Sequence, residues 1–423
     1  MKIKYFIIFG ISFIAFSFST AFAQNFEISG QIRPRTEYKH GYKSLIGDNV
    51  DAAFSTSQRT RLNLNYSTPK IQTHISLQNI GIWGEGTTSS KSDKAGTSIF
   101  QAWGEFFVTP EFSIKAGRQL FMYDDQKVLS QSDWSQAGRR HDGMLFKYEL
   151  PKFKVHLGAA YNQDTDKDTG TFYSTKNYKT MQFIWMHYDL NKFGASLYFI
   201  NNGMPQNVIE DSVSHQRIRF SQTVGPLLSW KDELFNLQGA FYYQMGKNDK
   251  NKDLDAFLAT FEANFNIYDN IVLGVGTQYA TGNNQDEVAT KDKYFTLPFT
   301  SGHKFQGSMD YFYSSSSHEN VGIIDVYLPF NLNFDKLKTN LTAHYFMSPA
   351  NIVDAQGKLM DKYLGTEIDL QFTYKFSKEL SILCGYSHMF GTQSLQEIKG
   401  GNYQNTQNWA WLAFSFTPSI FKN

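Results

Sequence analysis

From residue 26 onward the chain alternates without a break. Phe26, Ile28, Gly30, Ile32, Pro34, Thr36 and Tyr38 hold the even positions, and Glu27, Ser29, Gln31, Arg33, Arg35, Glu37 and Lys39 the odd ones. A period of two puts each set on its own face of an extended strand, one greasy and one charged. Strands of soluble proteins are usually about 5 to 6 residues long, whereas a tilted strand crossing a bilayer needs roughly 9 to 11. The run therefore predicts a membrane-crossing strand with lipid on one side and water on the other.

The signature repeats. In 257–267, Phe257, Ala259, Phe261, Ala263, Phe265 and Ile267 oppose Leu258, Thr260, Glu262, Asn264 and Asn266; in 364–375, Leu364, Thr366, Ile368, Leu370, Phe372 and Tyr374 oppose Glu367, Asp369, Gln371, Thr373 and Lys375. The same period places strands at 25–39, 56–67, 70–80, 97–109, 112–121, 143–150, 153–162, 179–189, 193–201, 216–230, 234–246, 255–268, 271–281, 320–332, 337–347, 362–376, 380–389 and 407–417. That is eighteen strands, with room for one more hidden in 285–315. Every second connection is tight, as at Asn191-Lys192 and Asp269-Asn270, and the intervening ones are mostly long and polar, as at 122–142 and 282–319. Short periplasmic turns and long extracellular loops are the pattern of an outer-membrane barrel, so the expected fold is all-β: a transmembrane antiparallel β-barrel with both termini on the periplasmic side.

Composition agrees. There are 38 Phe, 24 Tyr and 7 Trp, enough rings for girdles at both membrane interfaces, and after residue 23 no apolar stretch is long enough for a membrane-spanning helix. The N-terminal segment carries Lys2 and Lys4, then an apolar run to Phe22 and an Ala21-Phe22-Ala23 ending, which reads as a signal peptide over 1–23 with the barrel at 24–423. A retained anchor is the other reading; the small-residue ending favours cleavage at Gln24. Without Lys2 and Lys4 there are 38 basic and 39 acidic residues, so no global charge points to a nucleic-acid partner. The single cysteine, Cys384, leaves no pair for a disulfide or a cysteine zinc site. No cofactor is expected.

Two sequence blocks resemble the alginate-export family of outer-membrane porins. One runs Gly117-Arg118-Gln119, Asp125-Gln126-Lys127-Val128-Leu129, Asp133-Trp134 and Gly138-Arg139-Arg140-His141-Asp142-Gly143; the other is Phe299 to Phe312, with His303 and Lys304 at its centre. Lys127 stands where that family favours Arg. The resemblance implies an eighteen-stranded channel in the outer membrane of a Gram-negative bacterium, with 122–142 near a constriction and an anionic polysaccharide such as alginate among the solutes. Its partners would be lipid and lipopolysaccharide, the solute, and periplasmic export or uptake proteins.

On the polar phase, Arg33 and Arg35 face Arg59 and Arg61 if paired residue numbers sum to about 95, and Arg217 and Arg219 form a further pair. Glu262, Asp325, Glu367 and Asp369 lie on later strands. One reading is a basic ladder facing an acidic wall, a transverse field that orients anions; the other is charges that pair and brace a wet lumen. Trp134 in a solvated loop wants a packing partner, which favours an inward path for 122–142 over a polar crown. Arg118, Arg139, Arg140, His303 and Lys304 are further pore candidates, although a lone His is more often a packed hydrogen-bonding residue. Asp164, Asp166 and Asp168 imitate the start of a calcium loop, but Gly170 falls one place late and Thr175 stands where Glu belongs, so a solvated loop tip is the commoner reading. Two alternatives are weighed against a channel. A barrel-embedded hydrolase needs a nucleophile and base together, and no such constellation stands out. A plugged importer needs a domain ahead of the first strand, for which the expected start near 25 leaves no room.

Overall fold

A computed structural model describes residues 24–89, 96–173, 177–210, 212–312 and 320–423. The expected signal peptide lies outside the described residues. Alternation becomes antiparallel sheet in chain order: β1 (Asn25–His40), β2 (Ala53–Ser67), β3 (Ile71–Ile82), β4 (Thr97–Phe107), β5 (Phe112–Gln119), β6 (His141–Glu149), β7 (Phe153–Tyr161), β8 (Thr180–Leu190) and β9 (Phe193–Glu210). The second half continues with β10 (Val213–Lys231), β11 (Phe235–Lys247), β12 (Asp253–Tyr268), β13 (Ile271–Ala280), β14 (Ile323–Asn333), β15 (Leu337–Met347), β16 (Tyr363–Lys375), β17 (Leu380–Gly391), β18 (Gln407–Phe416) and β19 (Ser419–Lys422).

Each strand pairs with its chain neighbours, and the ends meet: Tyr38 lies opposite Ala410 on β18, and Glu27 opposite Lys422 on β19. β18 and β19 are two halves of one closing strand, broken at Thr417-Pro418, where Gly30 N–H still donates to the Pro418 carbonyl at 2.9 Å. The wall is thus a closed eighteen-strand antiparallel barrel with no open edge.

The phases fall as the alternation requires. On β12, Phe261, Phe265 and Ile267 are exposed on the outer face, where lipid meets them, while Leu258 is buried inside. On β16, Ile368 and Tyr374 point out while Glu367 and Asp369 are buried in the interior. The two-residue turn at Asn191-Lys192 needs a positive φ, and Asn191 supplies it at 53°.

Four expectations change. Paired residue numbers across β1 and β2 sum to 92 rather than 95, placing Arg33 directly opposite Arg59 and Gln31 opposite Arg61. The expected loop 202–215 is strand: β9 and β10 run on as a ribbon, paired only to each other past Gly203 and Ser221, beyond the ends of β8 and β11. No further strand lies in 285–315 among the described residues, which hold an isolated bridge from Asp292 to Leu254 and a 3-10 turn at Gly302–Lys304. The loop after β17 holds a short helix, α1 (Gln393–Lys399), capped by Thr392 accepting from Leu395 N–H at 3.2 Å, with Leu395 and Ile398 buried.

Phe261→Arg puts a charge on the lipid face near the middle of β12 and is expected to lower unfolding free energy by about 2–4 kcal/mol. Denaturant titration in lipid vesicles measures it; a cost no larger than that of Glu287→Arg on an exposed loop would place β12 outside the hydrocarbon.

Candidate functional site

The segment between β5 and β6 crosses the lumen like a strut. Near its start, Asp124 accepts hydrogen bonds from Trp185 Nε1 on β8 at 2.9 Å and from Ser196 Oγ on β9 at 2.9 Å, with the Tyr198 hydroxyl also donating to it. Asp125 accepts from Gln238 Nε2 on β11 at 2.9 Å, and Lys127 Nζ donates to Gln278 Oε1 on β13 at 2.9 Å. Its far end meets β1 and β2, where Asp133 sits among three guanidiniums: Arg59 Nη2 at 2.9 Å, Arg33 Nη1 at 3.2 Å and Arg61 Nη1 at 3.6 Å. Gln136 adds a contact at each strand, accepting from Arg33 Nε at 3.1 Å and donating to Ser57 Oγ at 3.1 Å. The inward path is therefore set by wall side chains on both sides of the barrel.

Arg35 completes the ladder. It pairs with Glu37 at 3.2 Å, donates to the Trp134 carbonyl at 2.7 Å and lies 4.0 Å above the Trp134 ring. Four arginines thus share two carboxylates, Asp133 and Glu37, and Arg59 is wholly buried. Three more arginine contacts go to neutral amides and a ring: Arg59 to Gln31 Oε1 at 2.9 Å, Arg61 to Gln78 Oε1 at 2.6 Å, and Arg61 onto Phe100 at 3.6 Å. The cluster keeps more guanidiniums than carboxylates while bracing the strut.

The connection between β13 and β14 folds inward from the other direction, and acidic side chains hold it. Glu367 accepts from Met309 N–H at 2.7 Å and Asp369 from Ser308 N–H at 3.0 Å. Gly307 allows this seat: its φ is +83°, and a Cβ would stand 2.7 Å from Glu367 Oε1. His344 on β15 lies between Asp325 at 3.0 Å and Asp369 at 3.6 Å. These acids do not stand across the barrel from the ladder; only β17 and β18 separate β16 from β1.

The two inward segments lock together. Trp134 stacks on His303 at 4.1 Å with 14° between ring planes and meets Trp411 edge-on at 4.8 Å. Ser130 N–H donates to the Phe299 carbonyl at 3.1 Å, Arg139 Nη1 to the Thr300 carbonyl at 2.7 Å, and Lys304 Nζ to the Asp125 carbonyl at 2.7 Å. His303 is in turn paired with Asp310 at 3.1 Å. Below this lock lie a cavity of about 490 Å³ lined by Arg33, Arg35, Lys304, His344 and Asp369, and another of about 460 Å³ reaching Asn266 and Asn333 near the short turns. Lys304 and His344 line both.

Not every candidate joins them. Arg118 pairs with Asp142 through two hydrogen bonds, at 2.8 and 2.9 Å, in a separate cavity with Arg139 and Arg140. Arg217 and Arg219 stand on the β9–β10 ribbon, where Arg219 donates to Gln206 at 2.6 Å, and line neither of the two lumen cavities. Asp164 is engaged by Lys167 at 3.2 Å, and among the described residues no group of three acidic, His or Cys side chains is placed to hold a metal ion. Asp133, Asp124 and Gln136 are the residues whose part the sequence did not single out: each acts on a partner far along the chain.

A sequence profile described as alginate export matches residues 27–407. The chain belongs to the alginate-export family. It is an outer-membrane channel protein. Its fold is similar to that of OccAB4 of Acinetobacter baumannii, with a TM-score of 0.60 at 15% identity over 93% of this chain and 98% of that one. OccK8 (OprE) of Pseudomonas aeruginosa gives 0.60 at 11% identity over 94% and 98%, and OpdO of the same species gives 0.60 at 13% over 94% and 98%. No curated protein matches the chain in sequence.

Asp133→Asn removes the one charge shared by Arg33, Arg59 and Arg61. The strut end is expected to loosen by about 1.5–3 kcal/mol, the range for a hydrogen bond to a charged group. Faster amide hydrogen exchange over 131–138, with β1 and β2 unchanged, is the readout. Lys127 provides a pH test: burial holds it down from 10.5 to about 8. Between these values the opened loop binds more protons than the seated one, so the seat strengthens as pH rises from about 8 towards 10.5. Exchange over 123–130, corrected for its intrinsic pH dependence, slows across that window in the native protein and stays flat in Lys127→Met.

Proposed function

We propose that this channel passes small anionic or polar solutes, with carboxylate-bearing saccharides of the alginate type as its preferred class. The observation that carries this reading is the cavity of about 490 Å³ beneath the lock, where Arg33, Arg35 and Lys304 share one wet space with Trp134. Guanidiniums offer paired donors to carboxylates, and an aromatic face suits a sugar ring. A volume near this size fits a compact ligand of one or two rings. His344 and Asp369 on the same cavity turn the field across it, so a solute is oriented as well as attracted.

A hydrolase in the barrel is less well supported. His344 has a carboxylate at each ring nitrogen, and the second nitrogen of His303 is buried without a hydrogen bond, as is that of His141. None of these presents a nitrogen to a serine hydroxyl; His187 Nδ1 does lie 2.8 Å from Ser196 Oγ, with Asp189 3.1 Å from its other nitrogen, but the Ser196 hydroxyl donates to Asp124 at 2.9 Å rather than to the ring, which is not what a general base requires. The channel reading needs no such group.

Reversal potentials in a KCl gradient across planar bilayers test the reading. The wild type is expected to prefer anions, and Arg33→Gln with Arg35→Gln to move the reversal potential towards cation preference. An unchanged potential in the double variant would show that the ladder does not select.

A further inference from the structure

Two groups of arginines, the ladder of β1 and β2 and the set around β5 and β6, share no cavity. Arg118, Arg139 and Arg140 line a space of about 530 Å³ with Gly138, Asp142 and Phe299. It is built from the outer end of β5, the outer start of β6 and the ends of β7 and β8 at Asn162 and Tyr178, all on the side of the long connections. In an outer-membrane barrel that side faces the exterior.

We propose that this basin is a second, outer binding site that captures a carboxylate-bearing saccharide from outside the cell. The inference rests on the anion-passing reading and adds to it a site and a side of loading.

Charge is the first support. Asp142 is the only carboxylate among the described residues that line the basin, and Arg118 occupies both of its oxygens. Arg140 makes no hydrogen bond or ion pair among the described residues, and its guanidinium carbon lies 5.9 Å from the centre of the Phe100 ring. A half-buried guanidinium with free donors beside a cavity is a carboxylate receptor in chemical terms. Phe299 and Tyr178, buried and packed edge-to-face at 5.3 Å, form a closed floor to the basin.

Separation from the ladder is the second support. Arg61 lies on the same Phe100 ring at 3.6 Å, so one ring carries a guanidinium from each group. Gly138 lines the basin, has φ +64°, and is so close to the ladder that a Cβ would stand 2.9 Å from Phe100 and 3.0 Å from Arg61 Nη2. That Arg61 nitrogen is buried and lacks a hydrogen bond. Gly138 and the Phe100 ring fill the space between the outer arginines and Arg61, so the basin is closed towards the ladder and is a site of its own.

The test uses the full barrel inserted in one orientation in planar bilayers, with D-glucuronate added to one side at a time and current interruptions counted. Wild type is expected to be half-blocked at a lower concentration from the extracellular side. Arg140→Gln raises the ratio of extracellular to periplasmic half-blocking concentration about ten-fold, the scale of one lost charge-assisted contact. Asp142→Asn, which frees Arg118, lowers the same ratio. An unchanged ratio in Arg140→Gln, or shifts in the same direction in both variants, overturns the outer site. Loss of anion preference in the wild-type KCl reversal potential would instead overturn the reading beneath it, so the two failures are distinguishable.

Discussion

Everything in this molecule depends on one seam. Inside hydrocarbon each unpaired peptide group costs several kcal/mol, so a sheet can cross a membrane only if its first and last strands find each other. Here β1 bonds to β2 along one edge and to β18 and then β19 along the other, with the break at Thr417-Pro418 bridged by Gly30. The same strand carries Arg33 and Arg35. Closure and charge placement are therefore one event: the register that completes the wall also fixes where the guanidiniums stand.

Inside the wall the organising force changes from backbone pairing to complementarity of charge. Basic side chains of β1 and β2 hold the acidic end of one loop, and acidic side chains of β16 hold the backbone amides of another. Neither arrangement would persist in open solvent, where exposed ion pairs contribute about 0–1 kcal/mol. Burial of Arg59, Glu367 and Asp369 keeps water from one partner of each contact, while Asp133 stays open to the lumen. The arginines outnumber their carboxylates, so the brace is also a source of positive potential.

The wall was readable in the sequence because its signal is local: a period of two needs only neighbouring residues, and eighteen strands came out near their observed places. The ribbon past Gly203 was not, since Met204-Pro205-Gln206-Asn207 has the composition of a loop and is held in strand form only by its partner. The register of β1 on β2 was missed by three because alternation fixes a face and not an offset. For the lumen, the arginines and the need of Trp134 for a partner were visible. Asp133 was one acid among several in its loop, and what distinguishes it is contact with residues about a hundred positions away.

A strut tied to β8, β9, β11 and β13 at one end and to β1 and β2 at the other has a consequence for how such a protein can change over evolutionary time. In an empty cylinder the bore follows from the number of staves, and altering it means inserting or deleting whole hairpins. In this barrel the bore is what the crossing segments leave open. Point changes in two loops can retune aperture and charge while every lipid-facing residue and every rung of the wall stays as it is, so the sieve and the casing are free to diversify at different rates.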